Sequence, residues 1–124
     1  MRDTRLRSAL AAAMFAVPSI VMAGEADVVA VEIVRDDAGR FTFDVTVRHD
    51  DEGWDHYADA WEILATDGTV LGTRILLHPH ETEQPFTRSL AGVAIPESVR
   101  EVTVRARDKV HDVGGREITV AVPR

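Results

Sequence analysis

Residues 40–49 read Arg40-Phe-Thr-Phe-Asp-Val-Thr-Val-Arg-His49. Phe41, Phe43, Val45 and Val47 alternate with Thr42, Asp44, Thr46 and Arg48. Successive side chains of an extended backbone point to opposite faces, so this spelling predicts a strand with one apolar and one polar face. The same period continues on both sides. Before it, residues 27–35 are expected to turn Val29, Val31 and Ile33 to one face. Asp36-Asp37-Ala38-Gly39 is the turn between the two, with glycine where the backbone needs a positive φ. After it come a polar stretch at 50–56 and a third strand at 57–66 that carries Trp61 and Ile63. Asp67-Gly68 is a hairpin signal, and a fourth strand follows over 69–78. Residues 79–85 form a loop. A fifth strand at 86–92 has Leu90 as its core residue. A sixth at 99–108 buries Val102, Val104 and Ala106, and a seventh at 116–122 buries Ile118, Val120 and Val122. No stretch beyond residue 24 sustains a helical period. The fold expected is all-β, a seven-stranded antiparallel two-sheet sandwich.

The chain outside this pattern is its beginning. Met1 to Arg7 is short and basic, and Ser8 to Met22 is almost wholly apolar. Val21-Met22-Ala23 offers the small residues that a signal peptidase reads. Residues 1–23 therefore read as a secretory signal peptide, with cleavage expected after Ala23. An apolar run of about 15 residues is short for a span that needs roughly 20, and Pro18 interrupts it. No membrane span is expected once the leader is removed. No cysteine follows the apolar run, so no lipoprotein anchor is expected. The expected organisation is a signal peptide at 1–23 and one domain at 24–124, exported to a periplasm or secreted.

Composition narrows the chemistry. The 124 residues carry 14 basic and 21 acidic side chains, a net charge of −7, and 45% apolar residues. One globular domain fits this length. Removal of the leader takes away Arg2, Arg5, Arg7 and Asp3, which moves the net charge to −9. An acidic chain lacks the basic face that nucleic-acid phosphates require. The chain has no cysteine, and its three methionines (Met1, Met14, Met22) all lie in the leader. Disulfide scaffolds, thiolate metal sites and thiol enzymes are excluded, and so are the soft ligands of copper(I) carriers.

Trp61 on the third strand, Leu90 on the fifth and the alternating Val102-Thr103-Val104-Arg105-Ala106 of the sixth give the chain a pattern that resembles immunoglobulin-like and fibronectin type III-like domains. The resemblance covers residues 25–123 and implies architecture alone, because this fold hosts unrelated functions. The cysteine pair of true immunoglobulin domains is missing. Gly53-Trp-Asp-His-Tyr-Ala-Asp-Ala-Trp-Glu62, Leu77-His-Pro-His-Glu81 and Gln84-Pro-Phe-Thr-Arg-Ser89 also resemble small exported bacterial proteins of uncharacterised function. That second resemblance implies no mechanism.

The five histidines carry the chemistry. His49 ends the second strand and His56 lies in the loop after it. His78 ends the fourth strand with His80 just beyond, and His111 lies between the sixth and seventh. An up-and-down sandwich reverses direction at every connection, so these loops fall at one end of the domain. The turns at 36–39, 67–68 and 93–98 fall at the other end and hold no histidine. The histidine loops also hold Asp50, Asp51, Glu52, Asp55, Asp59, Glu81, Glu83, Asp108 and Asp112. Imidazole nitrogen with carboxylate oxygen is a ligand set for zinc, copper(II) or nickel. His78-Pro79-His80 is the sharpest element, because proline favours an extended backbone before it and residues i and i+2 of an extended chain share a side. The metal ligands expected, in order, are His78, His80, His49, His111 and His56, with zinc or copper(II) as the ion. A histidine in a loop is also an ordinary solvated residue, and carboxylate-rich loops are ordinary surface.

Trp54, with Asp55 beside it, is either an exposed recognition aromatic or a lid over the core. Ser89 and Ser98 are the only serines outside the leader, and neither stands in a nucleophile motif. No phosphate loop or dinucleotide fingerprint is present, and no enzymatic activity is expected. The sequence thus predicts a small exported binding domain for a divalent metal. The alternative is an envelope module whose loop end or sheet edge binds a partner protein.

Overall fold

The computed structural model describes residues 24–124; the leader expected over residues 1–23 lies outside the described residues. Seven strands follow in order: β1 (Asp27–Arg35), β2 (Phe41–Arg48), β3 (Ala58–Leu64), β4 (Val70–Ile75), β5 (Phe86–Val93), β6 (Glu101–Asp108) and β7 (Ile118–Ala121). They form two antiparallel sheets, β1-β2-β5 and β4-β3-β6-β7. The hairpins β1–β2, β3–β4 and β6–β7 stay within a sheet, while the three connections between them cross from one sheet to the other. Turn chemistry sets the hairpins as the sequence predicts. Asp36 accepts the backbone N–H groups of Ala38 and Arg40, each at 2.9 Å, and Asp67 accepts that of Thr69. Gly39 and Gly68 take φ of 80° and 90°.

The inner faces meet in one core. Phe41, Phe43, Val45 and Val47 of β2 are fully buried and face Trp61 and Ile63 of β3 and Val102, Val104 and Ala106 of β6. Full burial of one such side chain stabilises by about 1.5–3 kcal/mol, and this sandwich relies on that term with no disulfide. β3 is covered on its outer face as well. Glu62 lies there between Arg105 at 2.9 Å and Arg107 at 3.4 Å.

Two β-bulges shift the expected faces. The β1–β2 register slips between Val28 and Ala30. The extra residue moves the inward set to Val28, Val31 and Ile33, so Val29 does not share their face, contrary to unbroken alternation. On β5 the register slips opposite Phe41 and Phe43, next to Gly92 at φ 71°. Val93 is thereby buried, and Leu90 packs at the margin of the core.

The sandwich gathers the start of β1, the end of β2, the start of β3, the end of β4, the start of β5 and the end of β6 at one end. Hydrogen bonds tie their loops together. The His49 amide donates to the Gln84 side chain, the His80 amide to Asp51, the Lys109 amide to the Tyr57 carbonyl, and the Val28 amide to the Arg116 carbonyl. Among the described residues no helix is long and apolar enough to cross a membrane.

Candidate metal centre

His49 follows the last residue of β2, where the strand runs out under the loop 50–57. It is 2% exposed. Its Nδ1 lies 2.6 Å from Asp51 Oδ1, a distance at which the carboxylate holds the ring's proton on Nδ1. The lone pair of neutral His49 is therefore on Nε2. His56 repeats the arrangement at the far end of the same loop: its Nδ1 lies 3.1 Å from Glu52 Oε1. With Nδ1 donating to its carboxylate, each neutral ring turns the Nε2 lone pair inward, and the two Nε2 atoms are 3.2 Å apart.

Two further electron-pair donors complete the cluster. The Gly24 carbonyl oxygen is 3.1 Å from His49 Nε2 and 3.2 Å from His56 Nε2. Asp108, the last residue of β6, sets Oδ2 3.8 Å from His49 Nε2 and Oδ1 3.5 Å from His56 Nε2. Asp108 Oδ1 accepts the amides of Val110 and His111 and the His111 ring. Asp108 Oδ2 is buried with no hydrogen-bond partner among the described residues. Burying such an acceptor unpaired costs about 1–3 kcal/mol, and more for a charged group. His49, His56 and Asp108 offer ligand atoms that all lie within 4.8 Å of one another.

The geometry suits a small cation. Zinc–nitrogen bonds of about 2.0–2.1 Å in a tetrahedral site put neighbouring ligand atoms roughly 3.3–3.4 Å apart. The two Nε2 atoms and the Gly24 oxygen lie 3.1 to 3.2 Å from one another, and Asp108 sets one oxygen 3.8 Å from His49 Nε2 and the other 3.5 Å from His56 Nε2. Two imidazoles, a carbonyl and a carboxylate face one another with no proton required between them. Either an added proton or a metal ion relieves that repulsion. For His56, burial opposes the charged form, but the Glu52 hydrogen bond, the Gly24 carbonyl and the Asp108 charge outweigh it and raise its pKa. The same groups that favour a proton there favour a metal cation.

Asp51 organises the support. Its side chain is fully buried. Oδ1 accepts both the His49 ring and the Ala58 amide, and Oδ2 accepts the His80 amide at 2.6 Å. Gln84 adds a second tie, accepting the His49 amide and donating to the His80 carbonyl. Carboxylates that orient metal-ligating histidines through the other ring nitrogen are the usual outer support of such sites.

The structure sorts the five histidines into two groups. His49 and His56 meet at Asp108, with the His111 ring 5.1 Å from that of His56. His111 gives its Nδ1 to Asp108, so it braces the carboxylate. His78 and His80 do come together, with ring centroids 4.6 Å apart, but they stand apart from the His49, His56 and Asp108 group. His80 stacks on Phe86 at 4.0 Å, and its Nε2 accepts from Arg88 at 2.9 Å. Burial first, then the neighbouring Arg88 and His78, lower its pKa. Trp54 and Asp55 lie on a single 3-10 turn, Gly53–Asp55. Trp54 is 65% exposed and meets Tyr57 edge-on, and Asp55 is exposed. Asp108 is one carboxylate among many in the sequence, and the Gly24 carbonyl leaves no side-chain signature at all. Glycine immediately after the expected cleavage point is the one hint the sequence gives of it.

A protein of Halomicrobium mukohataei named "Putative lipoprotein" is 43% identical over 96 residues, which make up 77% of this chain and 47% of the relative. The chain spans about half the length of that relative. No family model matches the chain, and no solved structure matches it.

Proposed function

We propose that the protein is an exported binding domain that holds one divalent transition-metal ion through His49 Nε2, His56 Nε2 and Asp108, with the Gly24 carbonyl as a fourth donor. The observation that carries this reading is the convergence of two imidazole nitrogens, each with its other nitrogen tied to a carboxylate, on the buried Asp108 carboxylate, whose Oδ2 lacks a hydrogen-bond partner among the described residues. Nitrogen–oxygen donors without sulfur suit zinc or copper(II). The role is binding rather than catalysis. The basic and apolar residues at 1–23 support export to the envelope or medium, as does the lipoprotein name of the relative. The three-plus-four strand arrangement supports a sandwich of the immunoglobulin-like or fibronectin type III-like class.

The test is metal analysis of untagged protein after export. One equivalent of zinc or copper is expected near neutral pH, released on acidification as imidazoles take protons. His49→Ala and His56→Ala are expected to abolish retention. Absence of retained or titratable metal in the wild-type protein overturns the reading. Partner binding through the exposed Trp54 is the second reading; capture of an envelope protein that survives both a chelator and His49→Ala would favour it.

A further inference from the structure

We propose that the α-amino group of Gly24, freed by cleavage after Ala23, is a nitrogen ligand of the centre, so that the full site forms only in the processed protein. This rests on the metal reading above. Gly24 precedes β1, yet its carbonyl oxygen faces both ligand histidines at 3.1 and 3.2 Å. The segment behind it is held in place. Ala26 is 2% exposed, the Arg116 amide donates to Asp27, and the Val28 amide donates to the Arg116 carbonyl. On the other side the Gly24 α-carbon rests against the His111 ring. A β-carbon there would lie 2.8 Å from His111 Cε1 and 3.1 Å from its Nε2. A larger residue must displace the His111 ring, and the Gly24 φ of 103° disfavours any side chain there.

The amine and the carbonyl oxygen of one residue close a five-membered chelate ring on a metal. An amide nitrogen within an unprocessed chain has no lone pair to offer near neutral pH, whereas a free α-amine titrates at about 7.7–8.0 and loses its proton readily to a metal. Two imidazoles, the Gly24 amine and carbonyl oxygen, and the Asp108 carboxylate make a three-nitrogen, two-oxygen set, which suits copper(II).

The experiment exports the full chain and reads the mass of the released form, which should begin at Gly24. Lys109 is the only lysine in the sequence, so a Lys109→Arg protein has its α-amine as its only amine. That protein is titrated with Cu2+ alone before and after N-acetylation, and its thermal unfolding is followed without metal. Acetylation is expected to lower Cu2+ affinity at least 100-fold with unfolding unchanged, and to reduce the coordinated nitrogens seen by electron paramagnetic resonance from three to two. Equal affinity of the acetylated form, or a first residue other than Gly24, overturns this inference and leaves the metal reading standing. No Cu2+ binding by the unmodified form overturns this inference, and failure to bind Zn2+ as well overturns both.

Discussion

Asp51→Asn is the substitution that separates support of the site from the site itself. The carboxylate takes three donors: the His49 ring at 2.6 Å, the Ala58 amide at 3.1 Å and the His80 amide at 2.6 Å. Asparagine has one acceptor oxygen and one donor NH2 in the same volume. With NH2 toward His80, two donors oppose each other across a short contact. With NH2 toward His49, it opposes the Ala58 amide and forces the His49 proton from Nδ1 to Nε2. That second arrangement satisfies His49 against the Gly24 carbonyl but removes the lone pair a metal needs. Losing one charge-assisted hydrogen bond costs about 1.5–3 kcal/mol, so unfolding in urea should show a loss of that size in metal-free protein. Disturbing an outer-shell carboxylate costs about 10–100-fold in metal affinity, or roughly 1.4–2.8 kcal/mol. Zn2+ competition with a chromophoric chelator measures it, at a temperature where both proteins are folded. Affinity within about twofold of wild type, in a protein that is folded, would refute the claim that Asp51 fixes the ligating tautomer of His49.

Three further outcomes are expected. In metal-free protein the His56 pKa is raised, so its stabilising effect is complete below the unfolded value of about 6.5 and is lost as pH rises through the folded value. The stability gap between wild type and His56→Gln should therefore narrow from pH 6 to pH 8, and a gap that widens over that window sinks the assignment. His78→Ala should leave zinc affinity within about threefold of wild type, because His78 lies outside the ligand group; loss of binding equal to that of His49→Ala would move the centre to the His78–His80 pair. At Gly115 an added β-carbon would sit 2.0 Å from the Ala26 carbonyl oxygen. Gly115→Ala must shift the chain leading to Gly24, so a stability loss of about 1–3 kcal/mol from overpacking should come with weaker metal binding, and retention of both measures would contradict the close approach.

How much of this was legible in the sequence depends on the range of the interaction. The alternation from Phe41 to Val47, the Asp67-Gly68 turn and the spacing of Val102, Val104 and Ala106 are local, and they set seven strands whose bounds agree with the structure within a few residues. Strand parity also places the histidine loops at one end. The same reasoning fails at Val29, where a bulge absorbs one residue and reverses the phase. Periodicity cannot foresee a bulge, because the extra residue is fixed by pairing with β2 and not by its own neighbours.

The choice among histidines lay beyond the sequence for a related reason. His78-Pro79-His80 is the conspicuous spelling, yet Phe86 and Arg88 claim His80 through packing and a hydrogen bond across the loop. His49 and His56 are an unremarkable pair in sequence. They come together because β6 brings Asp108 to meet them, with Asp51 and Glu52 beside their other ring nitrogens. The sequence by itself determined the strand pattern, the end that holds its imidazoles, and the absence of sulfur ligands beyond residue 22. Only the tertiary structure decided which imidazoles face the same point. The proposed ligation depends on the direction of a few lone pairs from residues 24, 49, 56 and 108, and those directions are set by contacts between loops that are distant in the chain.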